Sequence, residues 1–306
     1  MNELLIPGKK IKVSYPSSWD EIKAENVCRI GEIMHDCYTG KIDYDMARKL
    51  ATDEFLNRVN SDNKPAFDEE SLDFWSTESL LADSVDFLFN REELKDGDEN
   101  VSINPKFCTQ LVPWVKVGLR WYVGPKDLLS DLTIFEFKEA SWRIGKYSAT
   151  RDEQYLNEIF AVLYQPGGLI GKRKVRGAMI ETHVETQGRA SLRQQQNYDR
   201  SLRAATHVPI GLKFMIYLFF IGCMNWLREE AVEIDGNEIR FGCLFPKASP
   251  GTSESGEKDN DTGMAGILFQ MAESGVFGNM EQTSKVSMWD VFLRLLQIHN
   301  QIKKMK

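Results

Sequence analysis

Residue types able to do chemistry are present in this chain but do not converge. Glu181, His183 and Glu185 alternate, so on a strand they would share one face and could hold a metal. No second His or Cys lies near them, and a structural or catalytic metal site needs three or four ligands, so a solvated edge is the better reading. His35 and Cys37 stand two residues apart on a helical stretch and point differently, which removes them as a base and nucleophile pair. Gly167 to Lys172 approaches a phosphate loop. Pro166, however, takes the first glycine position, and Arg173 stands where Ser or Thr would bind magnesium. Asp259-Asn-Asp-Thr-Gly263 has the opening of a calcium loop without its later Glu. His207 and His299 stand alone, and carboxylates are too widespread to single out an acid and a base. We expect no catalytic residue, no metal ligand and no cofactor. The alternative is a metal-dependent hydrolase or nucleic-acid-processing enzyme whose site assembles from dispersed acids.

One charge pattern is less ordinary. Lys172, Arg173, Lys174, Arg176, Arg189, Arg193, Arg200 and Arg203 face only Glu181, Glu185 and Asp199 in the same stretch, inside a chain of formal net charge −7. Arginine suits carboxylates, phosphates and protein interfaces because its planar guanidinium donates in a fixed fork. Gln194, Gln195, Gln196 and Asn197 keep the stretch polar. A solvated surface competes with a docking arm for an acidic protein, for which Arg189, Arg193, Arg200 and Arg203 are the candidate partner-binding residues. The net negative charge disfavours non-specific contact with nucleic acid or anionic lipid, so a protein partner ranks ahead of both. Self-association stays open.

These residues must be positioned by a mainly α fold with minor β, an α+β arrangement. The 306 residues suggest two domains, 1–128 and 129–306, and 42% apolar residues suffice for real cores. Ile11 to Tyr15 alternates and stops at Pro16, which predicts a short strand. Val232 to Phe241, with Asp235-Gly236 at its centre, predicts a hairpin. Ser18-x-x-Glu21, Thr133-x-x-Glu136 and Thr150-x-x-Glu153 predict helix starts by capping boxes. A further helix is expected from Asp43, with Met46, Leu50, Leu56 and Val59 inward. Phe107 to Val112 is expected as a strand, 165–190 as irregular, and Ser191 to Ala205 as a polar helix. Residues 246–263 carry no large apolar side chain and are expected to form a mobile insertion. Helices are expected at Gly263 to Gly275 and Ser287 to Ile302, the latter with Val291, Leu295, Ile298 and Ile302 along one face.

Five scattered cysteines without a CxxC pair, and no apolar run at the start long enough for a signal peptide, point to reduced thiols in a cytosolic setting. Pro209 to Leu227 is the one long apolar stretch. Its uninterrupted part, Phe214 to Met224, is short for a bilayer span of about 20 residues, so it predicts a buried core helix. Leu212, Phe219, Cys223 and Leu227 are its expected inward residues, at the centre of the C-terminal core.

Three stretches together carry a resemblance. These are Asp131 to Phe137, Tyr155 to Tyr164 with Pro166, and Gly263 to Ala272 followed by Gly275-Val-Phe-Gly278. They resemble proteins encoded near tail genes in phages and prophages of gut bacteria, some of them similar to tail assembly chaperones. The resemblance covers the C-terminal two-thirds. It implies a non-enzymatic assembly factor or structural protein, a partner that is another and long helical protein, and a place in the bacterial host cytoplasm or the virion.

Overall fold

Local chemistry explains where the helices begin. The structure is a computed structural model that describes residues 2–6, 11–55, 83–93, 99–169, 187–234, 237–245, 271 and 273–305. Its helices are α1 (Ala24–Tyr38), α2 (Tyr44–Phe55), α3 (Ile134–Thr150), α4 (Glu153–Leu163), α5 (Gln187–Ala205), α6 (Ile210–Glu229), α7 (Met280–Ser284) and α8 (Met288–Met305). Thr133 caps α3 with the expected reciprocal box, its Oγ1 accepting from the Glu136 amide while Glu136 accepts from the Thr133 amide. The other two boxes are corrected. Glu21 accepts from the amide and hydroxyl of Ser17 rather than serving Ser18, and residues Trp19–Glu21 make only a 3-10 turn before α1. Thr150 ends α3, Arg151 turns the chain at φ 61°, and Asp152 caps α4 by accepting from the Gln154 amide.

The strands pair only antiparallel, in small sheets. β1 (Asn2–Ile6) pairs with β2 (Ile11–Tyr15), β3 (Phe89–Glu93) with β4 (Glu99–Ile103), and β8 (Ala231–Ile234) with β9 (Asn237–Arg240). A three-stranded sheet runs β5 (Trp114–Val117), β6 (Arg120–Val123), β7 (Gln165–Leu169). Gly118, at φ +57°, opens the two-residue turn between β5 and β6, a position where a side chain would be strained. The fold is therefore mainly α with minor β. The expected strand over 107–112 is absent: that stretch is irregular and anchors by burying Phe107 and Val112. Residues 165–169 are a strand instead of loop. The insertion 246–263, most of the expected helix after Gly263, and the hairpin turn Asp235-Gly236 lie outside the described residues.

By its contacts the chain divides into two units, residues 1–112 with 207–222, and 113–206 with 223–306. This differs from a division at 128, because 113–128 packs with later residues of the chain and 207–222 with earlier ones. In the first unit, Trp19 stacks on Phe107 at 5.0 Å and its indole N–H donates to the Asn104 carbonyl at 2.6 Å. α2 buries Ala47, Ala51, Thr52 and Phe55, while Met46 faces solvent, so the inward face is set by alanines rather than by the expected Met46. α1 and α6 meet backbone to backbone at Gly31 and Gly211. A Cβ on Gly31 would stand 2.7 Å from the Gly211 carbonyl carbon, and one on Gly211 2.7 Å from the Glu32 amide nitrogen.

α6 is apolar on all sides, as buried helices are. Phe219, Cys223 and Leu227 are buried as expected, and Leu212 is only partly so. Its first part, through Gly222, belongs to the first unit rather than the C-terminal core. By length and composition it is the one described helix able to cross a membrane, and 67% of its apolar window is buried inside the protein. In the second unit, Phe137 meets Phe292 at 5.1 Å, Phe160 stacks on Tyr164 at 4.6 Å, and Phe241 meets Trp289 at 5.7 Å. The Ile134 amide donates to Val286 and the Met288 amide to Leu132, which ties the start of α3 to the start of α8.

Candidate partner-binding surface

The four candidate arginines all fall on α5, which begins at Gln187, earlier than the sequence suggests. At 3.6 residues per turn, positions 189, 193, 200 and 203 lie within an arc of about 80°. Arg200 and Arg203 are exposed; the side chains of Arg189 and Arg193 lie outside the described ones. Tyr198, Ser201 and Ala205 occupy the opposite half of the wheel, where Ser201 and Ala205 are buried. Asp199, the acid beside the stripe, is held by Gln195, whose Nε2 donates to it at 2.9 Å. Position 203 also lies in the last turn, where a cation complements the helix dipole.

Two contacts hold this helix with Arg200 and Arg203 outward. The Ser201 hydroxyl donates to the Tyr164 carbonyl at 2.7 Å, just past the end of α4. Arg143 on α3 supplies the second. Its Nη1 donates to a Glu139 carboxylate oxygen at 2.6 Å, its Nε lies 3.2 Å from Glu158 on α4, and its Nη2 donates to the Tyr198 hydroxyl at 3.5 Å. One guanidinium thus joins three helices while only 13% of its side chain is exposed. Burial works against the charged forms of both Arg143 and Glu139. The hydrogen bonds between them, with Tyr198 on one side and Lys138 on the other, outweigh it, so Arg143 is pushed up and Glu139 held below the usual carboxylate range. Part of the cationic stretch is therefore a packed helix, and not a free arm.

The remaining candidates are not brought together. His35 is buried with its ring edge-on to Phe214 at 5.3 Å, and Cys37 is half-buried, its thiol pushed up by burial and by Asp43. Gly167 lies in β7, where a Cβ would meet Val123 at 2.7 Å, so the apparent phosphate loop starts as a packed strand. His207 and His299 are exposed on separate segments. Among the described residues no group of three His, Cys, Asp or Glu side chains is placed to hold a metal ion. Glu181, His183, Glu185, Asp259 to Gly263, and the cations from Lys172 to Arg176 fall outside the described residues.

Sequence reasoning missed two surfaces. On α3, exposed Phe135 and Trp142 sit a turn or two apart with Lys138 5.2 Å from the Phe135 ring and Lys146 5.5 Å from the Trp142 ring. Their i, i+3, i+7, i+11 spacing was the available signal. On the second, the outer length of α8, the sequence placed Leu295, Ile298 and Ile302 on one face but did not show that they remain partly or largely uncovered. No protein-family model, no curated protein and no solved structure matches the chain.

Proposed function

We propose that this chain is a non-enzymatic assembly factor or structural interaction protein, of the kind that serves phage tail assembly, and that it docks an acidic partner on the arginine face of α5. The observation that carries the reading is the arrangement of that helix. Arg200 and Arg203 are exposed on the face opposite the one that Ser201 and Ala205 bury. Arginines one turn apart, as Arg200 and Arg203 are, match carboxylates spaced along a second helix, and a helix–helix mode supplies apolar anchors as well. Nucleic acid offers phosphates to the same groups, but the net charge of −7 opposes its approach.

The test is co-purification of the chain with the products of neighbouring tail-region genes, beside DNA and RNA mobility-shift assays. The expected result is capture of one gene product and no nucleic-acid shift. A shift at physiological salt without protein capture would assign the arginines to phosphates. Metal-dependent turnover of an ester, phosphoester or DNA substrate, abolished by a point substitution, would replace this reading with an enzymatic one.

A further inference from the structure

The three-stranded sheet packs one face inward and leaves the other exposed. Along β5 and β6 the side chains alternate: Val115 and Tyr122 are buried, while Trp114 is 46% exposed, Lys116 is exposed and Trp121 is partly so. The register sets these outer residues side by side. Lys116 stands across from Trp121 and Trp114 across from Val123, so the two tryptophans are diagonal neighbours and the lysine adjoins both. At the end of the same hairpin Leu119 is 69% exposed and Arg120 is exposed.

The charges on this sheet have one sign. β5, β6 and β7 carry Lys116 and Arg120 and no acid, in a chain of formal net charge −7. Neither cation forms an ion pair among the described residues. Glu136 reaches the sheet at Gln165, but it is taken up there by the Gln165 Nε2 at 2.6 Å and by the cap of α3. Large rigid aromatics beside unpaired cations are the composition of protein-binding surfaces, where tryptophan and arginine supply the anchors. The cations match carboxylates and the rings match apolar side chains. A nucleic acid or an anionic bilayer also offers negative charge, but as an extended polyanion it meets the field of the whole acidic chain. A short acidic segment meets only the charges within about a Debye length, ~8 Å. A second copy of the sheet would set cations against cations.

We propose that the outer face of the β5–β6 hairpin, with Trp114, Lys116, Arg120 and Trp121, docks an acidic segment of a partner protein that carries apolar side chains between its carboxylates. The rings give affinity by covering apolar surface, and the two cations select for acid. The site lies on the sheet and not on α5, so it stands whether or not the arginine face binds a partner.

The test is fluorescence anisotropy at physiological salt with a labelled 12-residue peptide of Glu-Glu-Leu repeats, its Gln-Gln-Leu counterpart, and a 12-nucleotide oligothymidylate. Phosphatidylglycerol vesicles are tested beside them by co-sedimentation. The full-length chain carries Arg189, Arg193, Arg200 and Arg203 changed to Gln, which removes the arginine face from the measurement. Lys116→Glu/Arg120→Glu, or Trp114→Ala, is then added to it. These three side chains are exposed, and circular dichroism checks that the fold is kept. The expected result is binding of the Glu peptide, with affinity at least tenfold lower for the Gln peptide and for each added change. No binding of the Glu peptide at millimolar concentration, or equal binding by the added variants, would overturn the proposal. So would preferred binding of the oligonucleotide or the vesicles that Lys116→Glu/Arg120→Glu abolishes, which would give the sheet to nucleic acid or lipid. Failure of the arginine face alone would leave the binding of the Glu peptide to this sheet unchanged.

Discussion

Replacing Gly211 by alanine should damage the first unit although it adds only one methyl group to a helix. In an open helix position Gly to Ala is favourable by about 1 kcal/mol, because alanine restricts the unfolded chain and suits the helix. At Gly211 the added Cβ would stand 2.7 Å from the Glu32 amide nitrogen and closer still to the Cys28 carbonyl oxygen. These are backbone atoms of α1, which cannot swing aside as a side-chain end can. The helices must separate by about 1 Å, a gap that forfeits a quarter to a half of each dispersion contact across it. Overpacking of this kind costs about 1–3 kcal/mol, and rigid backbone on both sides places the cost at or above the upper end. With the propensity gain subtracted, a net loss of about 2 kcal/mol is expected. Gly145→Ala on α3 is the control, since nothing lies within 4 Å of its added Cβ, and a gain of about 0.5–1 kcal/mol is expected there. Urea unfolding gives the two stabilities, and hydrogen exchange locates the loss in α1 and α6. Gly31→Ala should behave like Gly211→Ala, and the double variant should cost less than the sum, because the helices part only once. A Gly211→Ala protein as stable as the wild type would refute the backbone-contact reasoning.

Arg143→Met should destabilise the second unit by about 2–4 kcal/mol in urea unfolding, since it leaves Glu139 and Glu158 without their shared cation. Partial exposure keeps the figure below the limit for fully buried pairs. Because Glu139 titrates below its ordinary value when folded, its share of stability is complete above about pH 4.3 and is lost as pH falls through the depressed folded value. The gap between wild type and Arg143→Met should therefore be widest near pH 7 and narrow in acid; a gap independent of pH would contradict the charge account. Phe219→Ala should cost about 3–5 kcal/mol, read by thermal or urea unfolding, because the ring is fully buried on α6 and lies 6.3 Å from the ring of Phe107. Recovery of the wild-type protein in carbonate-resistant membranes would instead place α6 in lipid.

What was legible in the sequence is what local chemistry decides. The Thr133 box, the β8–β9 hairpin and the face of α8 through Val291 each depend on residues within a turn or two of one another. Ser18 misled because Ser17 sits beside it and offers Glu21 both an amide and a hydroxyl. The phase of α2 misled because Ala47 and Ala51, not Met46, are what fits against its neighbours; size patterns alone favour the larger side chain. β7 could not be read because its pairing partner β6 lies more than 40 residues earlier, and Gly167 and Gly168 carry no strand propensity. Of the candidate surface, the arginine spacing was visible, since 4, 7 and 3 residues keep one helical face. Of Arg143's partners only Glu139, four residues earlier on its own helix, was visible; Glu158 and Tyr198 come from two other helices, and only the packed fold brings them to its guanidinium.

The most direct test of the central claim is an affinity measurement on the captured partner, with wild type compared against a variant carrying Arg189, Arg193, Arg200 and Arg203 all changed to Glu. Exposed ion pairs contribute about 0.2–1 kcal/mol each, and reversal adds repulsion to the loss. Four reversals should remove about 2–4 kcal/mol, or roughly 30- to 1,000-fold in Kd. The account predicts that loss with an unchanged circular dichroism spectrum and a melting temperature lowered only by the helix-dipole cost of Arg203→Glu, about 0.3–1 kcal/mol. Equal affinity of the two proteins for the partner would contradict it, and would leave the arginine face of α5 as solvated surface.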